Sequence, residues 1–263
     1  MKHGIRACIL LLLVSFAPFA ATAAPTTEPS TRPAGKAWLL HLPGIGGEHG
    51  IDRAMVRGLH DGGWPGSTEI YDWTENDPGI NALQARQRNV GEAKIVADQL
   101  LAEMRKEPGV EITLTSHSGG TGIAVWALES LPPGKKIQTL VLLASALSPG
   151  YDLSQALTHV SGHAYVFYSG QDRVVLGVGT TMFGTIDGIR TEAAGLVGFK
   201  RPAAVDGKAY AKLVQIGYDK RWMAMANIGS HIGSMSRPFS QKILAPIMIA
   251  DLGPHGPTTL PAE

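Results

Sequence analysis

The residues with the clearest chemical potential form a short run near the middle of the chain, Ser116-His117-Ser118-Gly119-Gly120. A β-rich apolar segment precedes the run and a helix-like segment over residues 123–131 follows it. A serine at a sharp turn between a strand and a helix stands above the sheet in strained backbone geometry, where it can act as a nucleophile. Ser118 is therefore the candidate nucleophile. The alternative is a tight turn whose serines only cap the following helix.

This run resembles the nucleophile elbow, G-x-S-x-G, of the α/β-hydrolase superfamily. It departs from the strict pattern at one position, because Ser116 stands where the first glycine would be and carries a small side chain. The resemblance extends from Trp38 to the C-terminal helix. It implies an α/β-hydrolase fold with a catalytic triad in the order serine, acid, histidine.

The resemblance places an acid after a later strand. Asp172 ends the sequence Ser169-Gly-Gln-Asp, which follows a β-rich run over residues 164–168. Open α/β sheets build their sites at the carboxyl ends of the strands, so Asp172 is the predicted acid. A simple turn aspartate is the alternative interpretation of this residue, and Asp187 and Asp219 remain rival candidates for the role.

The predicted base is His231, one of nine histidines. It lies between glycines, after the last predicted strand and before the terminal helix, where the superfamily keeps its base. His231 would take the proton from Ser118 and return it to the leaving group, while Asp172 holds the tautomer. The other histidines fit this order less well, although a loop histidine is often merely solvated.

Two backbone N–H groups should form an oxyanion hole. One belongs to Gly119, directly after the nucleophile, and by resemblance the other belongs to Ile45 or Gly46 in the glycine-rich loop after the first strand. That loop fails the G-x-G-x-x-G spacing of nucleotide sites, because His49 occupies the last glycine position. No H-E-x-x-H motif occurs. The sequence therefore predicts no cofactor and no metal.

The elements that would position these residues are apolar or β-branched runs alternating with helical patterns, which predict a mainly parallel sheet covered by helices on both faces. About six strands are expected, in a single domain over residues 37–263 without a large lid. The glycine-rich segment 174–210 is the candidate specificity element. The predicted strands are residues 38–42, 69–73, 110–115, 137–144, 164–168 and 211–216. The predicted helices are a short one capped by Asp52, then residues 93–104, 123–131 and 238–251.

The N-terminus has the pattern of a signal peptide, with two basic residues before an apolar run over residues 9–19 and small residues after it. The run is shorter than the roughly 20 residues of a membrane-spanning helix. Cleavage is predicted after Ala23, which makes residues 1–23 the signal peptide and 24–36 a flexible lead-in. The only cysteine, Cys8, precedes the apolar run, so no lipid anchor is expected. The chain should be exported to the periplasm or secreted.

Composition excludes several classes of protein. A chain of 263 residues with 44% hydrophobic and 17% charged residues is globular rather than disordered, collagenous or multi-spanning. A formal net charge of +1 gives no sign of a nucleic-acid partner or a strong electrostatic one.

The combined prediction is an exported serine hydrolase that cleaves carboxylic esters, of esterase or lipase type, with a small-molecule ester or acyl substrate and no stable membrane anchor. Two alternatives stay open. The same triad could cleave amides, peptides or thioesters, or the fold could serve as a non-catalytic binding module. The oligomeric state is left open.

Overall fold

The structure is a computed structural model that describes residues 37–75, 79–172, 184–203 and 207–253. The predicted signal peptide and lead-in lie outside these residues, as do residues 174–183 and 204–206 of the glycine-rich segment. Within the described ranges, no helix has both the length and the apolar character needed to cross a bilayer.

A single sheet of six strands forms the centre of the fold, and every neighbouring pair of strands is parallel. The order across the sheet is β2-β1-β3-β4-β5-β6. The predicted α/β architecture with about six mainly parallel strands is therefore confirmed. The strands are β1 (Ala37–Leu42), β2 (Ser67–Ile70), β3 (Glu111–His117), β4 (Thr139–Leu143), β5 (Ala164–Tyr168) and β6 (Leu213–Gly217).

Helices connect the strands, as parallel pairing requires. The described α-helices between strands are α1 (Gly50–Asp61), α2 (Ile80–Gln84), α3 (Arg86–Lys106), α4 (Gly120–Glu129), α5 (Ser154–Thr158), α6 (Ala194–Val197) and α7 (Gly207–Tyr210). Two 3-10 helices follow β6, at Lys220–Met225 and Gly233–Met235. A C-terminal helix, α8, joins an α-helical turn (Arg237–Phe239), a π-helical segment (Ser240–Leu244) and an α-helix (Ala245–Asp251).

Two hydrophobic clusters cover the two faces of the sheet. Successive side chains of a strand point to opposite faces, and β1 follows this rule. Leu40 and Leu42 belong to the cluster that contains the buried residues of α3 and α4, whereas Leu39 belongs to the cluster of α1 and α8. The apolar runs in the sequence are continuous because both faces of these strands are buried.

Some element bounds differ from the predicted ones for physical reasons. Helix α3 begins at Arg86, seven residues before its predicted start. The apolar pattern missed this first part because its first buried positions are polar. Asn89 donates to the carbonyl of Ala82 at 2.7 Å, and Glu92 accepts from the Tyr71 hydroxyl at 2.7 Å. These buried polar groups are paired, so the helix continues through positions that an apolar pattern does not detect.

Three further differences concern shorter segments. Strand β2 ends at Ile70 instead of residue 73. Helix α1 is capped by His49, whose N–H donates to Asp52 three residues later. The predicted terminal helix is interrupted by the π-helical segment, which lies directly before the α-helix that contains Pro246. Proline lacks the N–H that would continue the helical ladder, so the regular α-helical pattern breaks at this point.

Candidate active site

The turn after β3 holds Ser118 in a left-handed backbone conformation, with φ of 51°. Such a conformation costs a non-glycine residue on the order of 1–3 kcal/mol and persists only where surrounding contacts determine it. The N–H of Ser118 donates to the carbonyl of Leu143 at 3.0 Å. Its own carbonyl accepts from the Thr121 hydroxyl at 2.6 Å and from the N–H of Ala146 at 3.3 Å. The turn thus has the strained geometry of a nucleophile elbow.

A glycine directly after this turn allows the start of α4 to approach the end of β1. A Cβ at Gly120 would lie 2.4 Å from the carbonyl oxygen of Pro43, which is closer than real Cβ contacts. Because the obstructing atom is backbone, no rotamer change would relieve the contact. Glycine is therefore required at this position by close packing.

The structure brings together Ser118, His231 and Asp172. The Nε2 atom of His231 lies 2.9 Å from Oγ of Ser118, and Nδ1 lies 2.6 Å from Oδ2 of Asp172. A carboxylate only accepts hydrogen bonds, so Nδ1 carries the ring hydrogen and Nε2 is free to accept the serine proton. Asp172 is buried, with 4% of its side chain exposed. This geometry suits general-base activation of the serine hydroxyl.

The loops that carry Asp172 and His231 are tied to each other at the carboxyl edge of the sheet. Asp172 follows β5, in a turn closed by its N–H donating to the carbonyl of Ser169 at 3.1 Å. The Ser169 hydroxyl donates to the carbonyl of Gly229 in the loop after β6 at 2.7 Å. Gly229 has φ of 77°, which favours glycine. The two loops therefore keep a fixed spacing.

The rival acids have other partners. Asp187 accepts from the N–H and the hydroxyl of Ser148, at 2.9 and 2.6 Å. Asp219 is bonded to the backbone and guanidinium of Arg221 at the start of a 3-10 helix. Of the three candidate acids, Asp172 is the one that contacts His231.

The candidate oxyanion loop lies beside the nucleophile. Ile45 and Gly46 line an open pocket of about 230 Å³, and Ser118 and His231 line the same pocket. A Cβ on Gly119 would lie 2.5 Å from Cγ2 of Ile45, so two of the candidate donor residues pack against each other. Among the hydrogen bonds of the described residues, none takes the N–H of Gly119, Ile45 or Gly46. These groups are therefore available to a ligand.

Four hydrogen bonds fix the shape of the candidate oxyanion loop. Preorganised donors are effective because they need no reorientation when charge develops. The bonds are Gly47 N–H to the carbonyl of Gly44 (3.0 Å), Glu48 N–H to Oδ2 of Asp72 (2.9 Å), the Trp73 indole N–H to the carbonyl of Pro43 (2.8 Å) and Gly79 N–H to the carbonyl of Ile45 (2.6 Å).

Gly119 is a candidate oxyanion donor, and for that role we expect Gly119→Ala to lower kcat by roughly 10²-fold, the cost of losing one well-placed donor. The new methyl group would lie 2.5 Å from Cγ2 of Ile45 and 3.2 Å from Cζ2 of Trp73, so the Ile45 side chain would have to shift. The double variant Gly119→Ala/Ile45→Ala removes the shorter of these two contacts and should recover part of the loss, which steady-state kinetics on a chromogenic ester would measure. A double variant as impaired as the single one would show that this contact is not the cause.

His117 is a site residue that the sequence did not single out, because a histidine next to the nucleophile cannot serve as its base. Its Nε2 lies 2.9 Å from the carbonyl oxygen of His231, and the two ring centroids are 4.8 Å apart at an angle of 52°. Burial, together with the nearby charge of His231, lowers the pKa of His117 to about 3. The ring is therefore neutral near pH 7.

A second buried histidine lies below the pocket. The Nε2 atom of His41 is 3.0 Å from Oδ1 of Asp52, and its Nδ1 is 3.0 Å from the hydroxyl of Thr115. Burial by itself would raise the pKa of Asp52, but the hydrogen bonds from His41 and from the N–H of His49 lower it overall. Asp52 is thus a paired carboxylate at the base of the pocket. No group of three potential metal ligands occurs within the described ranges.

Solved structures with a similar fold share little sequence with this chain. Aspergillus fumigatus lipase B matches with a TM-score of 0.50 and 11% identity, over 82% of this chain and 54% of that one. Est1E from Butyrivibrio proteoclasticus matches with a TM-score of 0.45 and 12% identity, over 85% and 91%. An acetylxylan esterase matches with a TM-score of 0.47 and 13% identity, over 83% and 99%.

No protein-family model matches the chain, and no curated protein matches it. The order of the parallel strands and the likeness to the Aspergillus lipase agree with the resemblance seen in the sequence. The chain therefore has the α/β-hydrolase fold.

Proposed function

We propose that the chain is an exported serine hydrolase that cleaves carboxylic esters through an acyl-serine intermediate. Ser118 is the nucleophile, His231 the general base and acid, and Asp172 the residue that orients the imidazole. The observation that carries the proposal is the pair of contacts on one imidazole, 2.9 Å to the serine hydroxyl and 2.6 Å to the carboxylate. In this arrangement the imidazole can take the serine proton while the carboxylate holds its tautomer and orientation.

The first half of the reaction forms the acyl-enzyme. Nε2 of His231 takes the proton from Oγ of Ser118 as Oγ bonds to the ester carbonyl carbon. The carbonyl oxygen becomes an oxyanion, which accepts from the N–H of Gly119 and of Ile45 or Gly46. Nε2 then gives its proton to the alkoxy oxygen, the carbon–oxygen bond of the ester breaks and the alcohol leaves.

The second half repeats these steps with water. His231 takes a proton from a water molecule, whose oxygen bonds to the acyl carbon. Collapse of the second oxyanion breaks the bond to Oγ, and His231 returns the proton to Ser118. The Asp172 carboxylate holds the imidazole in its orientation and stabilises the imidazolium at each stage.

A fluorophosphonate probe tests the proposal, because it reacts covalently with an activated serine. Folded wild type should be labelled, Ser118→Ala should not be, and Ser67→Ala, which removes an exposed serine at the start of β2, should be labelled like wild type. An unlabelled wild type, or equal labelling of Ser118→Ala, would contradict the assignment.

The ester class is supported by the open pocket and by the fold shared with a protein named as a lipase. A panel of p-nitrophenyl esters of increasing acyl length, with a matched anilide and thioester, would test it. The highest kcat/KM is expected for an ester. A higher value for the anilide or thioester would move the assignment to amide or thioester cleavage by the same triad.

Export rests on the basic and apolar pattern of residues 1–23, which lie outside the described residues. The N-terminal sequence of protein recovered outside the cytoplasm tests it, and that sequence should begin at Ala24. Recovery of an unprocessed chain inside the cell would count against export.

A further inference from the structure

We propose that His117 is a positioning residue, which holds the backbone of His231 so that one imidazole can reach both Ser118 and Asp172. The proposal rests on the proposed function, because it gives His117 a role only in a working triad. It differs from that function in naming a histidine that does not itself contact the reacting atoms.

The first observation is the hydrogen bond between the Nε2 atom of His117 and the carbonyl oxygen of His231, 2.9 Å apart. His117 is the last residue of β3 and the immediate neighbour of Ser118. The bond therefore connects the strand that carries the nucleophile directly to the peptide unit of the base. This bond acts together with the bond from Ser169 to Gly229, but it is the one that connects the peptide of His231 to the residue next to Ser118.

The second observation is that the base lies on a loop that faces solvent. Ile228 is 61% exposed and Ile232 is 50% exposed, on either side of His231. His231 lies outside the six strands of the sheet, in the segment between the 3-10 helices Lys220–Met225 and Gly233–Met235. A misplacement of about 1 Å in such a group costs on the order of 10²-fold in rate. A hydrogen bond from the sheet to the peptide of His231 therefore helps to keep the imidazole in its catalytic position.

The direction of the bond follows from its acceptor. A carbonyl oxygen has no hydrogen to give, so Nε2 of His117 must carry one and the ring is the Nε2–H tautomer. Burial keeps the imidazole neutral near pH 7, because it lowers the pKa to about 3. A neutral ring does not oppose the imidazolium that forms on His231, whose ring centroid is only 4.8 Å away.

The decisive comparison uses His117→Leu and His117→Gln. The two replacements have similar volume, and both must pack against Gly44, where an added Cβ would lie 3.1 Å from Nδ1 of His117. Glutamine extends an N–H donor to about the position of the histidine Nε2, and leucine has no donor. A difference between the two variants therefore reports the hydrogen bond and not the filling of space.

We expect His117→Leu to lower kcat by roughly 10–100-fold with little change in KM, which is the range for losing a partner that orients a metal-binding side chain. His117→Gln should recover most of the loss. Urea unfolding of both variants checks that each is folded. If His117→Leu does not fold, His117→Asn, whose amide is too short to reach the carbonyl, should show the same loss in kcat.

A second measurement does not depend on turnover. The Nδ1–H proton of His231, held by Asp172, should give a downfield resonance in the NMR spectrum of wild type. The resonance should persist in His117→Gln and be lost in His117→Leu. If wild type fails to cleave esters, the proposed function fails, and this measurement alone decides the role of His117. Equal kcat in all three proteins, equal losses in both variants, or an unchanged resonance in His117→Leu would overturn the inference.

Discussion

Replacing His231 with alanine should lower kcat by roughly 10⁵–10⁶-fold, since removal of the base from a serine triad costs about as much as removal of the whole triad. Without the imidazole, Ser118 loses the group that takes its proton, and the leaving alcohol loses the acid that protonates it. Steady-state kinetics on a p-nitrophenyl ester measure the loss. Substrate binding does not use the proton relay, so KM should change far less.

His60→Ala is the matched control for this variant. His60 is an exposed histidine of α1 that contacts the hydroxyl of Thr68, away from the triad. It should retain the wild-type kcat. A His231→Ala variant with more than a tenth of the wild-type kcat would contradict the assignment of the base.

Asp172→Asn should lower kcat by about 10⁴-fold while leaving the fold intact. The asparagine amide can donate to Nδ1 of His231, which would then carry no hydrogen, and the ring hydrogen would move to Nε2. In that tautomer Nε2 faces Ser118 as a donor and cannot accept the serine proton. Kinetics on the same ester, with circular dichroism to confirm the fold, test this expectation.

Asp187→Asn and Asp219→Asn provide the comparison that distinguishes the three candidate acids. Asp187 accepts from Ser148, and Asp219 is bonded to Arg221, so neither variant changes a contact of His231. Both should keep a kcat close to that of wild type. A 10⁴-fold loss in either one, with a mild effect of Asp172→Asn, would transfer the role of the acid.

The fold class was predictable because the buried strands are read directly from the sequence. Strands such as β1 and β4 are covered on both faces, so almost every residue is apolar and the run is unmistakable. The start of α3 was missed because Asn89 and Glu92 are buried and satisfied by hydrogen bonds. An apolar pattern contains no information about polar groups that find partners only in three dimensions.

The candidate site was predictable in so far as it depends on chain order. Ser118, Asp172 and His231 each follow a recognisable strand, and parallel strands bring their carboxyl ends to one edge. The contact of His117 with the backbone of His231 could not be predicted from the sequence. Its acceptor is a backbone carbonyl group, and every residue has one. Three of the four bonds that shape the candidate oxyanion loop also join residues that are distant along the chain, such as Pro43 and Trp73.

Ser118 and His231 lie far apart along the chain, and this separation affects when they meet during folding. Ser118 and His231 are 113 residues apart, and the loop with the base follows β6, at the edge of an all-parallel sheet. Parallel pairing joins distant segments and is slow to form. A partly folded chain in which β6 has not yet docked still lacks His231 beside Ser118. Hydrolytic activity is therefore expected to return last during refolding, when the edge strand has docked, and so to report completion of the domain.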